Sequence, residues 1–141
     1  MQATEELEEL IAHKLRFLSK KTSVVVLGDV APLQVHSSFI FEQIAQKIGA
    51  VLLPVNPVQA EAMVLIGCLS GKSLAEAMNA IPQILQIPYL QANDKNRAYL
   101  LHEEWFLQAD ALLQLECLAE IVYPNFFTFG HQGIAWVEIR A

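Results

Sequence analysis

The sequence predicts a three-layer α/β/α sandwich around a mostly parallel sheet of four to five strands. Three features carry that expectation. Short runs of branched apolar residues recur: Ser23 to Leu27 (SVVVL), Ala50 to Pro54 (AVLLP), Met63 to Ile66 (MVLI) and Arg97 to Leu101 (RAYLL). Such near-continuous runs suit strands of a parallel sheet covered on both faces. Between them lie segments with helical periodicity, and glycines, prolines and capping residues punctuate the joins.

Composition agrees. Of 141 residues, 54% are hydrophobic and 17% charged, enough apolar material for one well-buried core. The chain therefore reads as a single domain: a leading helix (1–20), an α/β core (22–124) and an aromatic tail (125–141). A formal charge of −6 argues against nucleic acid and anionic membranes as partners. No run reaches the length of a membrane span, so no membrane insertion is expected. Cys68 and Cys117 sit in apolar surroundings and read as small core residues.

Taken in order, the first helix runs from about Thr4 to Ser19. Leu7, Leu10, Ile11, Leu15 and Leu18 share one face; glutamates lead it and lysines close it, matching the helix dipole. After the SVVVL strand, the loop GDVAPLQVHSS leads to a helix from about Ser38 to Ile48, stopped by Gly49. NPVQAEA is a turn-rich connection to the third strand. Ser73 and Glu76 form a capping box for a helix that runs to about Ala80 and breaks at Pro82. Pro88 marks a further break, and QANDKN is a surface turn.

The stretch from Arg97 to Pro124 organises the rest. Its strand is followed by HEEWFLQ, read as a connector, and by a helix from about Asp110 to Val122. Extending that helix backwards would push Glu104 and Gln108 into its apolar stripe, where a bare carboxylate is costly; Asp110 is the natural N-cap. Ala111, Leu112, Leu115, Leu118, Ala119 and Val122 form one apolar face, with Asp110, Gln114, Glu116 and Glu120 on the other side. Glu103, Glu104, Trp105 and Gln108 then lie at the carboxyl end of a strand, where open α/β sheets bind ligands. In the tail, Phe126, Phe127, Phe129 and Trp136 pack onto the body, and Ile134 to Ile139 forms an edge strand.

Catalytic signatures are missing. The four histidines, His13, His36, His102 and His131, have no metal-ligand spacing, and His102 beside Glu103 and Glu104 is the one His-carboxylate cluster in sequence. There is no nucleophile elbow, no C-x-x-C and no dinucleotide fingerprint. GCLSGKS follows a strand and opens a helix, but it has three residues, not four, between its first glycine and Gly71-Lys72, and the capping box already accounts for Ser73. No enzyme activity, cofactor or metal site is expected.

Strand, then the acidic-Trp-aromatic triplet Glu104-Trp105-Phe106, then a helix ending LAEIVYP resembles the C-terminal lobe of the metal-chelate type of substrate-binding proteins, which serve ABC importers for siderophores, haem and cobalamin. Ser38-Phe39 and Ile48-Gly49 fit the same order. The resemblance implies non-catalytic binding of an iron chelate, haem or cobalamin, with Ser38, Phe39, Glu104, Trp105, Phe106 and Gln108 as ligand-binding residues. One lobe offers half a site, so a homodimer or another partner across the cleft edge would complete it. The chain departs from the family in a short segment between its second and third strands, and Gln108 stands where some members carry arginine. The start MQATEELEEL lacks a signal peptide's apolar core, so the chain reads as cytoplasmic as written, and periplasmic if it is a fragment of an exported protein. Two other functions stay open: a nucleotide-binding or enzymatic domain using GCLSGKS, and an interaction module with no small ligand.

Overall fold

The computed structural model describes residues 2–16, 22–30, 33–36, 38–53, 64–87 and 97–139. The sequence readings at Leu18, at the Lys20-Lys21 pair, in NPVQAEA, at Pro88 and in QANDKN lie outside the described residues. Helix α1 spans Gln2–Leu15, β1 Ser23–Val30, β2 Leu33–Val35, α2 Ile40–Lys47, β3 Val51–Leu52 and β4 Val64–Gly67. Then come α3 (Leu74–Ala77), a 3-10 turn (Met78–Ala80), α4 (Ile81–Leu85), β5 (Arg97–Leu101), α5 (Glu103–Gln108), α6 (Ala111–Val122) and β6 (Trp136–Ile139).

The sheet has six strands in the order β2-β1-β4-β5-β6, with β3 also paired to β1. Strands β1, β3, β4 and β5 run parallel; β2 and β6 are antiparallel to their neighbours. The α/β sandwich is thus as expected; β2 is the added strand, and the expected final edge strand, Trp136–Ile139, runs antiparallel. The chain leaves β1 and folds straight back as β2, and Gly28 permits this: a Cβ there would meet the His36 backbone at 3.1 Å.

Alternating side chains divide the core. Val24, Val26, Val64, Ile66, Tyr99 and Leu101 face a layer formed by α1, α2 and α6, packed by Leu7, Ile11, Phe41, Ile44, Leu115 and Leu118. Val25, Leu27, Leu65, Ala98 and Leu100 face Ala77, Ala80 and Ile84 of the α3–α4 layer. This two-sided burial is why the strands carry no polar alternation. Arg97 secures the amino end of β5: its two Nη groups donate to the Ile121 and Val122 carbonyls, each at 3.1 Å, closing the C-terminus of α6.

Several local expectations are met. Ser73 and Glu76 form the capping box, Asp110 caps α6 by accepting from the Leu113 N–H, and Gly49 takes φ +67 after α2. Others are corrected. HEEWFLQ is no connector: Glu103–Gln108 forms helix α5, with both glutamates in its first turn, where the dipole favours them. An extended residue at Ala109 separates it from α6, which removes the conflict over Glu104 and Gln108. Pro82 does not break a helix but sits in the first turn of α4, where its missing N–H costs nothing. Leu10, placed on the buried face of α1, is exposed. Gln114 and Glu120, placed on the open face of α6, are buried, because α5 and the tail fold over that side.

Candidate functional site

One carboxylate joins the segments that follow β2, β4 and β5 at the carboxyl edge of the parallel strands. Glu103, the first residue of α5, accepts a hydrogen bond from the His36 ring Nε2 at 2.5 Å through Oε2. Through Oε1 it accepts the Gly71 N–H at 3.0 Å. Desolvation pushes its pKa upward, but hydrogen bonds from Gly71, His36 and the Ser70 side chain outweigh this and hold the carboxyl below its ordinary range.

Each partner is placed by local structure. The His36 N–H donates to the Val26 carbonyl at 2.9 Å, carrying the β2 hairpin across the end of β1. Its ring stands edge-on to Phe41, which stacks flat on Phe106 of α5 at 5.0 Å. The Ser38 N–H donates to His36 Nδ1 at 3.1 Å. With Nδ1 accepting, the ring hydrogen of a neutral imidazole sits on Nε2, pointing at Glu103. Gly71 reaches Glu103 with φ +74, a conformation that suits glycine. The turn before it is held to β1, the Ser70 N–H donating to the Gly28 carbonyl.

Below the pair lies Cys68, fully buried. The donor atoms of His36, Cys68 and Glu103 all fall within 4.8 Å of one another, so these are the residues that could hold a metal ion. Burial, and then the negative charge of Glu103, push the Cys68 thiol well above its ordinary range.

Two grooves flank the pair. One, of about 280 Å³, runs between His36, Ser38, Phe39 and Leu52. The other, of about 380 Å³, lies between Asp29, Ser70, Lys72, Glu76 and Gln83.

This geometry sits in a fold with a known counterpart. The chain is similar to the crystal structure of the TroA-like periplasmic binding protein FepB from Veillonella parvula. The match has a TM-score of 0.65 and 12% sequence identity, and covers 99% of this chain and 55% of that one. The likeness is one of fold, and the chain spans about half the length of that binding protein. No protein-family model matches the sequence, and no curated protein matches it significantly.

The residues singled out from sequence fall in different places. Phe39 is 76% exposed beside the smaller groove. Ser38 is half-buried, and its Oγ accepts the Ile40 N–H at the start of α2. Glu104 and Gln108 are exposed on α5, and Trp105 is half-buried with its ring 5.6 Å from that of His131. Phe106 is fully buried beneath His36 and Phe41, within the packing rather than at the edge. Sequence reasoning missed His36 and Glu103 as a pair. It set Glu103 beside His102, its neighbour in the chain, whereas the partner lies 67 residues away. The one available signal was that both follow strands at the carboxyl end of the sheet.

GCLSGKS takes no phosphate-loop shape. Its Gly71 N–H is given to a carboxylate, and its serine is given to the helix cap. Those are the groups that a phosphate and its metal ion would need.

Proposed function

We propose that the chain is a non-catalytic ligand-binding lobe of the substrate-binding-protein type, taking a metal-bearing small molecule on the carboxyl edge of its sheet. The observation that carries this reading is the His36–Glu103 pair, set beside a groove that His36, Ser38 and the exposed Phe39 line where β1 and β2 meet α2. An aromatic surface next to a few convergent polar groups is the usual make-up of a small-molecule site. The FepB-like fold and the half-length coverage support a lobe whose site is completed by a second body, either another lobe or a second copy. An iron chelate, haem or a corrinoid is large and partly flat, and suits stacking on Phe39 with Trp105 further along α5. Ser38, Glu104 and Gln108 are the polar candidates around it.

The test is titration with cobalamin, haem and a ferric siderophore, followed by tryptophan fluorescence. Half a site gives micromolar or weaker binding, roughly −8 kcal/mol or less favourable. Trp136 also reports, so Trp105→Phe identifies the signal. A response lost in Phe39→Ala supports the reading; no response to any of the three ligands removes it and leaves an interaction module.

A further inference from the structure

We propose that His36, Cys68 and Glu103 bind a bare borderline divalent cation, of the zinc or cobalt(II) class, with Cys68 as a thiolate ligand. The inference does not depend on chelate binding: it places an ion beneath the edge, whether or not a larger ligand sits above.

The donor set argues for this class. One imidazole nitrogen, one sulfur and one carboxylate oxygen converge within 4.8 Å, each delivered by the end of a different strand. Sulfur and imidazole select zinc and its neighbours over magnesium or calcium, which prefer oxygen alone. Tetrahedral bonds of about 2.0–2.3 Å set donors roughly 3.5 Å apart, so the sulfur must draw in while His36 Nε2 and Glu103 Oε2, now 2.5 Å apart, must open to admit the ion, both within reach of side-chain rotation. Three protein ligands leave a fourth position open, as in sites that exchange a water or an outside ligand. Glu103 reaches the surface, its side chain 16% exposed against 4% for His36, so the ion enters beside the carboxylate.

The proton account is definite. Without an ion the thiol keeps its proton, since Cys68 is buried near a negative carboxylate. A dication reverses that environment and displaces the Sγ proton to solvent. His36 must coordinate through Nε2, so its ring hydrogen moves to Nδ1 and the Ser38 N–H loses its acceptor. One cation enters and one proton leaves. Glu103 exchanges His36 for the ion and retains Gly71 on its other oxygen. The remaining polar neighbours are the Ser70 side chain on Glu103 and the buried Cys117 thiol.

The experiment is titration of the full chain with cobalt(II) chloride under a non-thiol reductant. The expected result is a one-to-one complex with intense tetrahedral visible bands and a thiolate-to-cobalt charge-transfer band. Zinc chloride should displace the cobalt, and one proton should be released per ion in weakly buffered solution. Cys68→Ser should abolish the charge-transfer band, Cys117→Ser should leave it intact, and Glu103→Gln should weaken binding tenfold or more. No binding, weak octahedral bands without the charge-transfer feature, or a band that follows Cys117 rather than Cys68 overturns the proposal. Should Cys68→Ser fail to fold, the wild-type band and the proton count decide it.

Discussion

Glu103 and Glu120 both collect hydrogen bonds from other parts of the chain, and the contrast between them separates the edge of this molecule from its frame. Glu120, on α6, is 4% exposed. It accepts the consecutive N–H groups of Phe129, Gly130 and His131 together with the Trp136 indole N–H. Those donors are backbone or a buried ring, and they saturate both oxygens with the returning tail. Glu103 also ties distant segments together, but one of its partners is the His36 imidazole, and its own side chain reaches the surface, 16% exposed. A carboxylate held only by fixed donors is an anchor. One held partly by a ring with its own acid-base and coordination chemistry can trade that partner for something else.

The sharpest way to break this contrast is Glu120→Ala. It strands four donors and releases the tail that carries β6, so it should cost about 3 kcal/mol or more, read by urea denaturation. A loss under about 1 kcal/mol would make the tail an accessory and the contrast empty. The second effect is smaller. Glu103→Gln, compared with the parent in the presence of a chelator, should lose about 1–2 kcal/mol at neutral pH. Its sign with pH follows from the lowered pKa of the folded carboxyl. The unfolded carboxyl takes up its proton first as pH falls, so the contribution is complete above the ordinary glutamate range and disappears below the folded value. The gap in melting temperature between parent and variant should therefore close on acidification; a gap that widens would contradict the geometry around His36. The smallest effect belongs to Phe39→Ala. That ring is exposed, so stability should change by less than about 0.5 kcal/mol, while any chelate binding at the edge falls. A large destabilisation would mean that Phe39 belongs to the frame.

Much of the frame was legible in the sequence because its causes are local. Branched runs at 23–27, 63–66 and 97–101 can satisfy their backbone and bury both faces only as strands of a covered sheet. Ser73, Asp110 and Gly49 each announce a helix end through chemistry confined to a few residues. The short segment at 103–108 was misread as a connector for the opposite reason: six residues do not establish a period, and the burial of Phe106 against Phe41 decides the helix. Gln114 and Glu120 were misplaced because a helical wheel shows one buried stripe, while the second cover comes from other segments: α5, before the helix, over Gln114 and the tail, after it, over Glu120. The edge was least legible. Residues 36, 68 and 103 converge only after three strands have taken their places in the sheet, and no spacing in sequence encodes that meeting. The nearest sequence signal, His102 beside Glu103, pointed to the wrong histidine.

Strand β5 begins at Arg97, clamped to the carbonyls that end α6, and stops two residues before Glu103, which holds the turns following β2 and β4. The strand is thus fastened beyond its own ladder at both ends, to α6 at one and to the turns after β2 and β4 at the other. Fluctuations of the three connections at the carboxyl edge are correlated rather than independent, since displacing one drags the shared carboxylate and the strand behind it. An incoming molecule meets a surface whose disorder is already largely spent, and loses little further entropy in ordering it.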